Sequence, residues 1–192
     1  MFNPDWKKEV FTIPNLLTLF RLLLIPVYVM IYMRAGTMRE YFLAASILAV
    51  SCLTDLIDGK VARHFHMTST VGQILDPIAD KLTQLTLTLC LSIRYPALQL
   101  VLVLFVIKEG FQCIAGLIHL QRGKILPGAL MAGKICTTVL FVSLILLVLL
   151  PDLGTDVVQA IAWIDTAFLL YSFIHYIFAY YGQNAKLRDM TE

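Results

Sequence analysis

Six stretches of about twenty apolar residues constrain this chain more than anything else in it, because a helix of that length crosses the roughly 30 Å hydrocarbon layer of a bilayer. They run at residues 14–33, 41–64, 70–93, 98–120, 127–150 and 155–181. Short polar connections join them at 34–40, 65–69, 94–97, 121–126 and 151–154. Charged residues make up only 15% of the 192-residue chain, against about 25% in a soluble domain. The expected fold is therefore all-α: a polytopic membrane protein with six transmembrane helices. One membrane domain is expected over residues 13–182, with a tail at 183–192. Residues 1–12 mix Phe2, Trp6 and Phe11 with Lys7 and Lys8, which suits a short helix lying in the headgroup layer. The first apolar stretch is too long for the core of a cleavable signal, and no small-residue cleavage site follows it.

Basic residues near helix ends set orientation. Lys7, Lys8, Lys60, Arg63, Arg122, Lys124, Lys186 and Arg188 fall on one side, and Arg34, Arg39 and Arg94 on the other. That imbalance places both termini in the cytoplasm of a cell-membrane protein. The net charge of +2 is too small to suggest nucleic acid. Cys52, Cys90, Cys113 and Cys136 sit in apolar runs without a C-x-x-C pair and read as free, buried thiols.

Four carboxylates interrupt the apolar pattern: Asp55, Asp58, Asp76 and Asp80. On an insertion scale each would cost roughly 2.5–3.5 kcal/mol at the centre of a bilayer. Asp55 and Asp58 are three residues apart and Asp76 and Asp80 four, so on helices each pair occupies one face. The short connection at 65–69 makes the second and third helices antiparallel neighbours, so the two pairs can face one crevice near the cytoplasmic surface. Four converging anions repel unless cations neutralise them. Hard oxygen donors select Mg²⁺, Mn²⁺ or Ca²⁺, and two such ions form a clamp for phosphoryl transfer. Gly59 and Gly72 allow close approach of a ligand or a neighbouring helix, and Arg63 is placed to hold a phosphate. On charge alone two other readings stand beside this one. The carboxylates could pair structurally with Lys60, Arg63 and Lys81, or line an ion path in a small cation transporter.

The block from Asp55 to Asp80 reads D-x2-D-G-x2-A-R-x8-G-x3-D-x3-D without a gap. Eight fixed residues at fixed spacing match by chance at about one in 10¹⁰ starting positions. The block resembles the signature of the CDP-alcohol phosphatidyltransferase family, whose six-helix architecture also agrees. The resemblance implies a CDP-linked lipid donor, CDP-diacylglycerol, whose phosphorus is attacked by an alcohol hydroxyl as CMP leaves. It implies that Asp55, Asp58 and Asp76 hold two divalent cations, Mg²⁺ or Mn²⁺. Asp80 would be the catalytic base and a further metal contact. Gly59, Ala62, Arg63 and Gly72 would hold the nucleotide. It also implies a homodimer. The intact aspartates argue against an inactive member kept for assembly, and a transporter has no need of the glycine and alanine spacing.

The acceptor is read from other residues. The segment from Ile13 to Arg21, and the run from Asp76 to Lys81, resemble the phosphatidylglycerophosphate synthase and cardiolipin synthase branch. Thr18 and Arg21 lie one turn apart, so both can face inward. Glycerol-3-phosphate is dianionic, and Arg21, Lys81, Lys108 and Lys134 are the candidate cations for it, with a local Lys108–Glu109 ion pair as the alternative for Lys108. Two departures bear on the choice. Lys108-Glu109 stands where the branch carries Arg-Glu, and Cys136 replaces the second lysine of a Gly-Lys-x-Lys-Thr run. Arginine grips phosphate bidentately and lysine does not, so a cardiolipin synthase-type transfer to phosphatidylglycerol, or to another alcohol, is the alternative. His64, His66, His119 and His175 have no part in this chemistry. The aromatic array of Tyr171, Tyr176, Tyr180 and Tyr181 reads as a packing surface.

Overall fold

The computed structural model describes residues 12–64, 70–121 and 131–188, without the side chains at 13–14, 55–64, 70–71, 73–74, 119–121 and 181–188. The expected interfacial helix at the N-terminus lies outside the described residues, as do the connections at 65–69 and 122–130. The described residues form six α-helices and no strand: α1 (Ile13–Arg34), α2 (Met38–His64), α3 (Thr70–Arg94), α4 (Gln99–Gln121), α5 (Met131–Leu149) and α6 (Thr155–Arg188), with a 3₁₀ turn at Pro96–Leu98 before α4.

Four helical segments among the described residues are long and apolar enough to span a bilayer: Asn15–Arg34, Pro96–Ile118, Met131–Leu149 and Thr155–Tyr180. The chain is thus a membrane protein by its helices. The other two helices have the length, at 27 and 25 residues, but carry the motif's charges. Between 22% and 39% of each span is buried within the protein. The outward faces are nevertheless apolar, as Leu23, Trp163 and Phe178 show at 68%, 61% and 73% exposure. A helix apolar all round belongs in lipid rather than in water. The cysteines are free, as expected, but not all are buried: Cys113 is exposed and Cys52 intermediate. The outward face of an apolar helix holds a thiol as readily as the inner face does.

The chain forms two compact units, one of residues 1–90 with 148–151 and the other of 91–147 with 152–192. In the first, α1 packs closely along α2. Tyr32 is the hinge of that contact: its ring stacks on Tyr28 at 5.5 Å and meets Tyr41 edge-on at 5.7 Å. The Tyr41 hydroxyl donates to the carbonyl of Ala35 at 2.9 Å, tying the start of α2 to the end of α1. Glu40 closes the same turn by accepting from the backbone N–H groups of Gly36 and Thr37 at 2.7 and 2.9 Å, the reach back from the third helical residue to the capping residue that a capping box uses. Those bonds, Gly36 first, hold the Glu40 carboxyl below the usual glutamate range.

A stripe of α1 is buried at Asn15, Thr18, Arg21, Tyr28 and Tyr32, the three- and four-residue stride of one helix face. Tyr28 of α1, Leu48 and Ser51 of α2, and Thr83 and Leu87 of α3 line one small cavity, so the three helices meet there. Pro26 and Pro77 lie inside α1 and α3. Each lacks the N–H that would bond the carbonyl four residues earlier.

In the second unit α4 packs against α6, with Phe111 edge-on to both Phe173 and Tyr180 at 5.4 and 5.9 Å. The helix α6 runs to Arg188, past the apolar boundary at Tyr181. Polarity ends a membrane-spanning pattern, but it does not end backbone hydrogen bonding.

Candidate active site

The eight-residue block is carried by α2 and α3. Asp55, Asp58, Gly59, Ala62 and Arg63 lie on the last part of α2, where the backbone alone is described. Gly72 is buried on α3, and Asp76 and Asp80 follow it one turn apart.

Both α3 carboxylates are held by α1. The Thr18 hydroxyl donates to Asp76 Oδ1 at 2.7 Å, and Arg21 Nη1 donates to Asp80 Oδ1 at 2.6 Å. The partner numbers rise together, so α1 and α3 run in the same direction here, as the first and third helices of an up-down-up arrangement must. Thr18 is fully buried and Arg21 is 2% exposed. A guanidinium removed from water needs an anionic or hydrogen-bonding partner, and Asp80 supplies it. The Asp80 side chain is 51% exposed. One end of the pair is therefore buried and the other half exposed.

Among the described residues no three His, Cys, Asp or Glu side chains gather in a metal-sized cluster. Asp55 and Asp58 lie where side chains are outside the description. The donors that are described do fit a hard cation: two carboxylates one turn apart, each oriented by a second helix.

The four acceptor candidates are placed differently. Arg21 is engaged with Asp80. Lys81 is half-buried on α3. Lys108 is 1% exposed and donates to Glu109 Oε1 at 2.7 Å and Gln112 Oε1 at 3.4 Å, the local pairing foreseen as the alternative for it. Lys134 is exposed at the start of α5.

Two features went unread in the sequence. Thr18 and Arg21 face inward as expected, but their partners are the motif carboxylates. Strides of three on one helix and four on another, all polar in apolar surroundings, are the signal that could have paired them. The second is Asp165, 1% exposed on α6, which accepts from the Ser143 hydroxyl of α5 at 2.9 Å. A single carboxylate inside the sixth apolar stretch was the signal for it.

The family model for CDP-alcohol phosphatidyltransferases matches residues 11–171. A CDP-diacylglycerol–glycerol-3-phosphate 3-phosphatidyltransferase of Shigella flexneri is 31% identical over 178 residues, which cover 88% of this chain and 94% of that one. A protein of the same description from Escherichia coli is 45% identical over 71 residues, 37% of this chain and 38% of its own. A cardiolipin synthase (CMP-forming)/mitochondrial hydrolase fusion protein of Schizosaccharomyces pombe is 36% identical over 121 residues, 63% of this chain and 19% of the much longer fusion.

Proposed function

Because the chain belongs to the CDP-alcohol phosphatidyltransferase family, we propose that it transfers the phosphatidyl group of CDP-diacylglycerol to glycerol-3-phosphate and releases CMP. The observation that carries the reading is the Arg21–Asp80 pair: an accessible carboxylate of the complete motif, anchored at one oxygen by a buried guanidinium.

In this reading a free hydroxyl of glycerol-3-phosphate attacks the phosphorus that bears the diacylglycerol. The bond from that phosphorus to the bridging oxygen of CMP breaks, and Asp80 takes the hydroxyl proton. A primary alcohol is a poor nucleophile at neutral pH, and a positioned base contributes typically 10²–10⁴-fold. Arg21 keeps that base in place, and Thr18 does the same for Asp76. Arg63, Gly59, Ala62 and Gly72 would seat the CMP moiety. The family generally uses a divalent metal, and we assign two Mg²⁺ or Mn²⁺ ions to Asp55, Asp58, Asp76 and Asp80. When bound, they supply positive charge against the donor diphosphate. Six spans, termini and active site on the cytoplasmic side, and a homodimer complete the proposal. The basic-residue asymmetry supports the orientation, and the family resemblance supports the dimer.

A cardiolipin synthase-type transfer to phosphatidylglycerol is the second reading, favoured by the Schizosaccharomyces pombe relative and by Lys108 being already paired. An acceptor panel separates the two. Purified protein with CDP-diacylglycerol and Mg²⁺ or Mn²⁺ should release CMP with glycerol-3-phosphate. Release with phosphatidylglycerol alone would move the assignment to the second reading. No release with any alcohol, alongside metal flux into liposomes, would replace both with a transporter.

A further inference from the structure

Tyr176 lies on α6, five residues beyond the end of the family match at 171, in the aromatic array that reads from sequence as packing. Its surroundings are not those of a packing residue alone. The Lys108 ammonium stands 6.0 Å from the centre of the Tyr176 ring, at the outer limit of a cation–π contact. On α5, a Cβ at Gly133 would come within 2.6 Å of the Tyr176 hydroxyl oxygen and within 2.9 Å of its ring. The ring therefore occupies the place where any other residue at 133 would put its side chain. Gly133 immediately precedes Lys134. One tyrosine is thus in contact with the backbone of the segment that carries Lys134 and with the ammonium of Lys108.

The hydroxyl of Tyr176 has no hydrogen-bond partner among the described residues, and the side chain is only partly buried. Nor does the Lys134 ammonium meet a partner among them. Lys108 pairs with Glu109, and Lys134 is exposed and follows Gly133 directly in the chain. A hydroxyl on a ring that lies beside a lysine ammonium suits a phosphate oxygen, to which a phenol donates and a lysine adds charge.

We propose that Tyr176 is a specificity-determining residue for the acceptor, its hydroxyl binding the phosphate of a glycerol phosphate with Lys108 and Lys134 nearby. The inference rests on the acceptor chemistry proposed above. Free glycerol-3-phosphate and the headgroup of phosphatidylglycerol share that chemistry. They differ in charge, as a phosphomonoester dianion and a phosphodiester monoanion.

The test is Tyr176→Phe, which keeps the ring in the Gly133 notch and removes only the hydroxyl. CMP release is measured while each substrate is varied in turn, with both acceptors. Loss of a hydrogen bond to a charged group should raise KM for the preferred acceptor about tenfold, with KM for CDP-diacylglycerol unmoved. Gly133→Ala, which pushes the ring away, should shift the same constant in the same direction. An unchanged acceptor KM in Tyr176→Phe overturns the inference, and so does a parallel loss in both KM values and kcat, which marks a merely structural role. A binding measurement separates this failure from failure of the function. Glycerol-3-phosphate, or phosphatidylglycerol in mixed micelles, should raise the Tm of the unaltered protein and not that of Tyr176→Phe. If the unaltered protein releases no CMP yet shows this difference, the assigned reaction fails and the Tyr176 site stands. If neither protein responds, the site falls.

Discussion

Charged side chains are buried in both halves of the molecule, but they are held in different ways. In the first unit buried Arg21 pairs with half-exposed Asp80, and buried Thr18 with Asp76, across 59 and 58 positions of the chain, so the site exists only once α1 and α3 have come together. In the second, Lys108 is held by its neighbour Glu109 and by Gln112 one turn on, all on α4. Contacts between helices fix geometry, and contacts within one helix mainly neutralise charge. On the proposed assignment, Asp76 and the base Asp80 are positioned by tertiary contacts. Lys108, assigned to the acceptor, keeps a local partner that a substrate phosphate can compete with.

Four substitutions test this contrast, from the largest effect to the smallest. Asp80→Asn removes the base and should lower CMP release by about 10²–10⁴-fold while CDP-diacylglycerol binding persists. Normal turnover would remove Asp80 from the reaction. Arg21→Gln keeps a donor but loses the charge that holds Asp80. The pair is half exposed on the carboxylate side, so the loss should be nearer 1–2 kcal/mol than the 3–5 of a fully buried pair. It should appear as a lower Tm together with reduced kcat. Glu109→Gln in the second unit should leave donor kinetics untouched and alter acceptor KM. Equal effects of Arg21→Gln and Glu109→Gln on donor kinetics would erase the distinction between the units. Ser143→Ala withdraws the hydroxyl from buried Asp165 and should cost roughly 1–3 kcal/mol of stability, read in thermal unfolding with activity per folded molecule unchanged.

The smallest effect belongs to the turn between α1 and α2. Backbone N–H groups lower the Glu40 pKa relative to the unfolded chain. Its capping contribution is therefore fully present above the ordinary glutamate range and is lost as pH falls through the lowered folded value. Amide protection at Gly36 and Thr37 should drop in Glu40→Ala at neutral pH. In the unaltered protein it should drop only in acid, once intrinsic exchange is corrected for. Protection at these two amides that is equal in both proteins at neutral pH would remove Glu40 as the cap.

The described helices could be read closely from hydropathy. The first apolar stretch at 14–33 became Ile13–Arg34, and the third at 70–93 became Thr70–Arg94, because apolar length in a bilayer leaves little freedom. The last helix was underestimated, since the residues after Tyr181 are polar but remain helical. The block from Asp55 to Asp80 could be found because its chemistry is local to two adjacent helices. The grip of Thr18 and Arg21 on it could not, since nothing in a linear pattern says which inward face of α1 meets which turn of α3. Tyr176 was hidden for a similar reason: an aromatic residue among aromatics gives no sign that one ring fills the space above a glycine on another helix.

In the proposed reaction the acceptor hydroxyl attacks phosphorus and its oxygen becomes part of the new ester. Glycerol-3-phosphate carrying ¹⁸O in its attacking hydroxyl, incubated with CDP-diacylglycerol and Mg²⁺ or Mn²⁺, should yield a phosphatidyl product that retains the label in its new phosphodiester, with one unlabelled CMP per product. Absence of the phospholipid, or a product without ¹⁸O in that bond, would contradict the account.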